Sequence, residues 1–277
     1  MTATVFILVL CAAALHAGWN AIVKGSGDKF VAAVAICLSA ALIAILALPF
    51  VTAPARESWR YISASMVLQT TYFSLVAAAY RRADMSLAYP IMRGGAPMIV
   101  ALASGLLFAE ALTLTGWLGI SLISGGILSL AVLARKASRA GLGLALLNTC
   151  VIASYTLTDA AGVRLSGAPI GYTLWVCIVT APPVLVLALW RRGPALFGQL
   201  ARSWRDGLIG GAGTMTSYGV ALWAMTLAPV AMVAALRETS IIFATALSAL
   251  VLGEKVGPGR VAAVVIIALG AATLRLS

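Results

Sequence analysis

The feature that most constrains this chain is an arginine set inside an apolar run of membrane-spanning length. Residues 84–110 read DMSLAYPIMRGGAPMIVALASGLLFAE, with Arg93 among them. The run is long enough to cross a bilayer as a helix. A charge at that depth costs at least ~2.5–3.5 kcal/mol on insertion scales. Pro90 and Pro97 bracket the arginine, and Gly94 and Gly95 follow it. Prolines remove helix donors, so the backbone is expected to loosen where the charge lies. Such a segment is tolerated where it lines a cavity or is buried in protein. The second half of the chain echoes the pattern. Arg237 and Glu254 each lie 144 residues after Arg93 and Glu110, and in both pairs the Glu follows the Arg by 17 residues. The expectation is a duplicated membrane protein with its working parts where the repeats meet.

Composition sets the class. Hydrophobic residues make up 62% of the 277 and charged residues 10%, with a mean hydropathy of +1.05. A water-soluble domain has no use for so much apolar surface, so the excess faces lipid. The net charge of +11 raises nucleic acid as a partner. The basic residues, however, are scattered in short clusters between apolar runs, which is the pattern of cytoplasmic loops, and no nucleic acid is expected. Cys11, Cys37, Cys150 and Cys177 all fall inside apolar runs. They read as free buried thiols, with neither metal spacing nor a disulfide framework, and no cofactor or metal is expected. The first apolar segment lacks a basic leader and is read as a retained span.

Hydropathy predicts an all-α polytopic membrane protein of ten spans, at about 3–23, 30–50, 61–80, 85–109, 112–133, 142–162, 170–190, 206–226, 229–252 and 258–275. Short connections leave no room for a soluble domain. Gly207 and Gly211 form a small-residue pair suited to close helix contact. Ten spans put both termini on one side. Thirteen Lys and Arg then fall on the opposite side and four on the termini side, which places the termini in the periplasm and the protein in the inner membrane. The duplication falls in the linker ARKASRAGLG, giving repeats 1–138 and 139–277. Five spans each make the repeats inverted, and inverted repeats place a substrate site near the midplane, around a central cavity. Ser104/Ser248 and Gly126/Gly270 keep the same 144 offset.

Polar groups inside the spans give the candidate site. His16, Trp19 and Asn20 share one face of span 1, and Tyr155, Thr158 and Asp159 repeat that spacing in span 6. The orientation puts the first cluster toward the cytoplasmic end and the second toward the outer end, as two gates related by inverted symmetry. A polar cluster that only holds helices together is the competing reading. Tyr72, Tyr89 and Tyr218 suit a cavity wall, whereas Tyr80 and Trp223 read as interfacial anchors. Met215 suits a forgiving pocket or simply the core. Arg93 and Arg237 sit at related depths. Glu238 adjoins Arg237, but helix neighbours do not face each other, so each is expected to find its own partner. The Arg93 guanidinium can hold a substrate carboxylate with two parallel bonds. Glu110 and Glu254 are read as caps at the start of the next helix.

The motif HAxWNxxxK, from His16 to Lys24, resembles the opening of many transporters of the drug/metabolite transporter superfamily. The segments FAEALTLTGWLGISLISGGIL and LGEKVGPGRVAAVVIIALGA resemble the paired signature of its EamA family. The resemblance implies two inverted five-span repeats and export of amino acids, aromatic ones among them, or of related metabolites and drugs. The small proton-coupled relatives carry a glutamate in span 1, and this span has no carboxylate. The expected partners are the lipid bilayer and small-molecule substrates, with the protein acting as a monomer. The alternatives are a proton-coupled exporter of drugs or other metabolites, an intramembrane enzyme and a channel. For an enzyme there is no HExxH helix, and a single histidine leaves few general bases. For a channel no filter motif is readable.

Overall fold

The computed structural model describes residues 1–82, 85–132, 139–250 and 256–277. Among these residues the regular structure is helical, without strands. In hydrocarbon every backbone N–H and C=O must be paired within its own segment, and the helix does this. The helices are α1 (Ala3–Gly25), α2 (Lys29–Ala47), α3 (Trp59–Arg82), α4 (Met85–Phe108), α5 (Leu114–Val132) and α6 (Arg139–Ser166). After them come α7 (Pro169–Arg192), α8 (Ala195–Arg202), α9 (Trp204–Met225), α10 (Val230–Arg237), α11 (Ser240–Leu250) and α12 (Pro258–Arg275). Nine segments of the described residues are long and apolar enough to cross a membrane, Val230–Leu250 being one of them. The tenth expected span, at 206–226, is a helix of 22 residues. Its five glycines and its Thr, Ser and Tyr residues leave it less apolar than the nine. Glu254, read as a cap, lies outside the described residues, as does the linker up to residue 138.

Neighbouring helices pair in a pattern that exchanges the two halves. α3 packs on α6 and α9 on α1; α4 packs on α6, and α10 and α11 on α1; α2 packs on both α7 and α9; α5 packs on α12. The last seam is made by glycines. A methyl group on Gly126 would meet Ile267 Cγ1 at 2.9 Å, and one on Gly270 would meet the Gly119 carbonyl oxygen at 2.8 Å. The matched pair Gly126/Gly270 therefore lies on opposite sides of one close helix approach. The predicted pair Gly207 and Gly211 does the same work for α9 against α2, where a Gly211 methyl would meet the Ala40 nitrogen at 2.7 Å. Asp28 caps α2 through Phe30 N and Val31 N, at 3.0 and 3.1 Å, and its other oxygen takes Arg192 of α7 at 2.5 Å.

The structure corrects three expectations. First, the span expected at 229–252 is present as Val230–Leu250 but is broken into two helices. α10 ends at Arg237, and turns of the i→i+3 type carry the chain through Glu238 and Thr239 into α11. Second, the loosened backbone expected around Arg93 is a continuous helix from Met85 to Phe108, with both prolines inside it. Gly94 and Gly95 are there for close packing. Methyl groups on them would meet Leu128 Cγ of α5 at 2.9 Å and Thr149 Cγ2 of α6 at 2.8 Å. Third, the connection from α7 to α9 contains α8, whose Leu196 is buried with Val34, Val184 and Ala188.

Candidate functional site

The buried polar groups of five helices meet where α4 faces the α10–α11 break. Arg93 reaches across from α4, and its Nε lies 2.8 Å from Glu238 Oε2. Both residues are buried, at 7% and 6% exposure. The Nε–H is not aimed at that oxygen, so neither atom has a well-formed hydrogen bond and the contact is coulombic. A second guanidinium nitrogen of Arg93 lies 3.3 Å from His16 Nε2 of α1. Arg237 has a different environment. Its guanidinium stands over the Tyr218 ring, 5.5 Å from the centroid, and among the described residues no carboxylate lies within ion-pair distance of it. A cavity of about 10 Å³ is lined by Arg93, Pro97, Tyr155, Thr156, Arg237 and Glu238, together with apolar neighbours. That is room for about one water. On the far side of the break, Thr239 and Ile242 join α1 and α12 in lining an apolar cleft of about 580 Å³.

A carboxylate network continues from the cavity. Asp159 of α6 is fully buried. It accepts a hydrogen bond from Tyr172 Oη of α7 at 3.0 Å and another from Tyr218 Oη of α9. Gln69 Nε2 of α3 donates to Tyr218 Oη at 3.3 Å and to Ser65 Oγ at 3.0 Å. A buried carboxylate survives when hydroxyls replace its water. Tyr72 of α3 meets Tyr155 edge to face, with ring centroids 5.9 Å apart. The clusters on α1 and α6, expected as two separate gates, are thus joined by one run of contacts. It passes from His16 through Arg93 to Glu238, along the backbone to Arg237, and through Tyr218 to Asp159.

Not every expected residue joins it. His16 packs edge to face on Trp19, at 4.9 Å, but the Trp19 indole N–H is buried without a partner. Asn20 spends its amide on the His16 carbonyl of its own helix, at 2.9 Å. Tyr89 is half-buried one turn before Arg93 and interacts with its guanidinium, and Met215 is half-buried on α9; neither lines the cavity. Glu238, Gln69 and Tyr172 were missing from the predicted site. The signal for Glu238 was a carboxylate inside an apolar run. For Gln69 it was the polar stretch around it in span 3. Tyr172 carried none beyond its residue type.

Glu110 corrects another expectation. It does not cap the next helix, α5. Ala109 adopts a left-handed backbone, with φ 52°, that ends α4. The Glu110 carboxylate then caps α10 instead, accepting from Val230 N at 2.9 Å. Its other oxygen takes Arg164 of α6 at 2.5 Å. Arg164 also donates to the Met225 and Ala228 carbonyls at the α9–α10 corner, at 2.8 and 3.2 Å. This strut joins α4, α6, α9 and α10 at the opposite end of α10 from the break.

A helical bundle of membrane-spanning segments, with a charged and aromatic cluster buried inside it, defines a multi-pass membrane protein. Residues 139–276 match the model of the EamA-like transporter family, so this half of the chain is an EamA-like transporter domain. The class that follows is a membrane transporter of small molecules. No curated protein matches the chain. One crystal structure of a protein has the same fold, with a TM-score of 0.79 at 15% identity, covering 100% of this chain and 99% of that one.

Proposed function

We propose that the protein exports amino acids, aromatic ones among them, and related small metabolites from the cytoplasm by alternating access. The observation that carries this reading is the small cavity lined by Arg93, Arg237, Glu238 and Tyr155, with Tyr72 and Tyr218 packed around it. Ionic groups of both signs suit a zwitterion, and tyrosine faces suit an aromatic side chain. With room for about one water, the site admits substrate only when the helices around it part. The YddG-type aromatic amino-acid exporters that the sequence resembles favour the same substrate class. Two inverted five-helix repeats, 1–138 and 139–277, are supported by the exchangeable helix pairings. Ten crossings, α9 included, are supported by the termini. Arg275 donates to the Met1 carbonyl at 3.5 Å, and ends that lie together favour an even number of crossings. The thirteen-to-four distribution of Lys and Arg favours periplasmic termini in the inner membrane.

The test is a liposome flux screen across amino acids, with and without a proton gradient. Saturable uptake with counterflow, including tyrosine, phenylalanine or tryptophan, is the expected result. Flux confined to phosphorylated or nucleotide-linked compounds overturns the substrate class. A second reading, proton-coupled export of drugs or other metabolites, is favoured by Asp159, a fully buried carboxylate held by tyrosine hydroxyls. Loss of net flux on collapsing the pH gradient, with Asp159→Asn equally inactive, selects that reading.

A further inference from the structure

Arg237 and Glu238 are consecutive, and on an unbroken helix consecutive side chains diverge by about 100°. Here both line one cavity. The cause is the break. Glu238 N bonds Ala235 O at 3.0 Å, Thr239 N bonds Leu236 O at 3.1 Å, and Ile241 N bonds Glu238 O at 3.1 Å. These tight turns re-aim the side chains, so the cavity receives a guanidinium and a carboxylate from adjoining positions.

The two groups differ in commitment. Glu238 is held by Arg93 through a misaligned contact. Arg237 rests on the Tyr218 ring with no carboxylate in ion-pair reach among the described residues. The cavity therefore has two guanidiniums and one carboxylate. The carboxylate role expected of Arg93 from the sequence meets an obstacle, since Arg93 is already occupied by Glu238 and His16.

We infer that the α10–α11 break is a zwitterion clamp, in which Arg237 takes the substrate carboxylate and Glu238, parting from Arg93, takes the substrate ammonium. This deepens the amino-acid reading above and rests on it. While the site is empty, Arg93 serves as an internal stand-in for the ammonium. Its poorly aligned N–H makes it an exchangeable partner. Arg237 offers a planar fork that matches a carboxylate, and lysine keeps the charge without the fork. Specificity follows from the same geometry: a substrate lacking either charge leaves one buried ionic group unpaired.

Purified protein in liposomes tests this with three probes: L-phenylalanine, 3-phenylpropionate, which lacks the ammonium, and phenethylamine, which lacks the carboxylate. Wild type is expected to prefer phenylalanine over both. Arg237→Gln is expected to lower the preference for phenylalanine over phenethylamine on the order of tenfold or more, as a charge-assisted bond predicts. Arg237→Lys should fall between. Glu238→Gln should lower the preference over 3-phenylpropionate instead. Wild-type preferences in monodisperse Arg237→Gln or Arg237→Lys overturn the clamp and leave amino-acid export standing. Loss of monodispersity in both variants assigns Arg237 to structure and also overturns it. Wild-type protein that moves no amino acid overturns the export reading first, and the clamp with it.

Discussion

The sequence offers two arginines at matched positions, and the fold treats them differently. Arg93 lies on a continuous helix, α4, pinned between α5 and α6 by glycine contacts. It is engaged, with Glu238 on one side and His16 on the other. Arg237 ends a helix, beside a break, and stands over an aromatic ring. Prolines mark the first helix, yet the second one breaks. A proline within a helix forfeits one backbone bond, and tight packing on both sides holds the helix through that loss. Thr239 and Glu238 have no such symptom in their residue types. The difference teaches that the depth of a charge in the membrane does not determine its role. What decides it is whether the backbone lets a partner reach it.

That asymmetry can be broken by substitution. Arg93→Ala should have the largest effect, because it strands Glu238 as an unpaired buried charge at a cost of ~3–5 kcal/mol. Thermal unfolding in detergent should show the loss, and flux should vanish. Replacing both partners, Arg93→Met with Glu238→Leu, should restore most of the stability while flux stays absent. A single Arg93→Ala variant melting like wild type would show that the pair is incidental.

Gly95→Ala probes the rigidity of α4. The added methyl meets Thr149 Cγ2 at 2.8 Å, and overpacking of this kind costs ~1–3 kcal/mol. The unfolding midpoint should drop accordingly. An unchanged midpoint would mean that α4 is free to shift against α6.

Arg237→Ala should cost less stability, about 0.5–2 kcal/mol, the value of a cation–π contact. It should therefore melt above Arg93→Ala in the same detergent. The reverse order would reverse the assignment of structural and free arginine. Thr239→Ala is expected to be the smallest change. It removes a hydroxyl that donates to the Leu236 carbonyl at 2.7 Å within the break, a bond worth about 0.5–1.5 kcal/mol. Hydrogen exchange at residues 238–242 should quicken while the rest of the bundle is unaffected.

Much of the bundle was legible without coordinates. The expected span at 112–133 is the helix Leu114–Val132, and that at 258–275 is Pro258–Arg275. Apolar length and turn residues are local signals, and hydrocarbon admits only the helix, so they suffice. The pair Gly207 and Gly211 was legible for the same reason, since small residues one turn apart mark a close approach whatever the partner. The polar residues inside the spans, His16, Arg93, Tyr155, Asp159, Tyr218 and Arg237, were visible by their cost.

What the sequence did not contain was the pairing. Glu238 meets Arg93 rather than its own neighbour, Glu110 caps α10 rather than α5, and Gln69 reaches Tyr218 across the bundle. Each contact depends on how helices are rotated and how deep they sit. Nearly uniform apolar runs leave rotation and depth unspecified, because lipid and protein interior are alike to them. The sequence by itself determined which segments cross and which charges they carry. Only the tertiary structure decided which charge faces which, because close packing of small residues, and not hydropathy, sets the angle between one helix and the next.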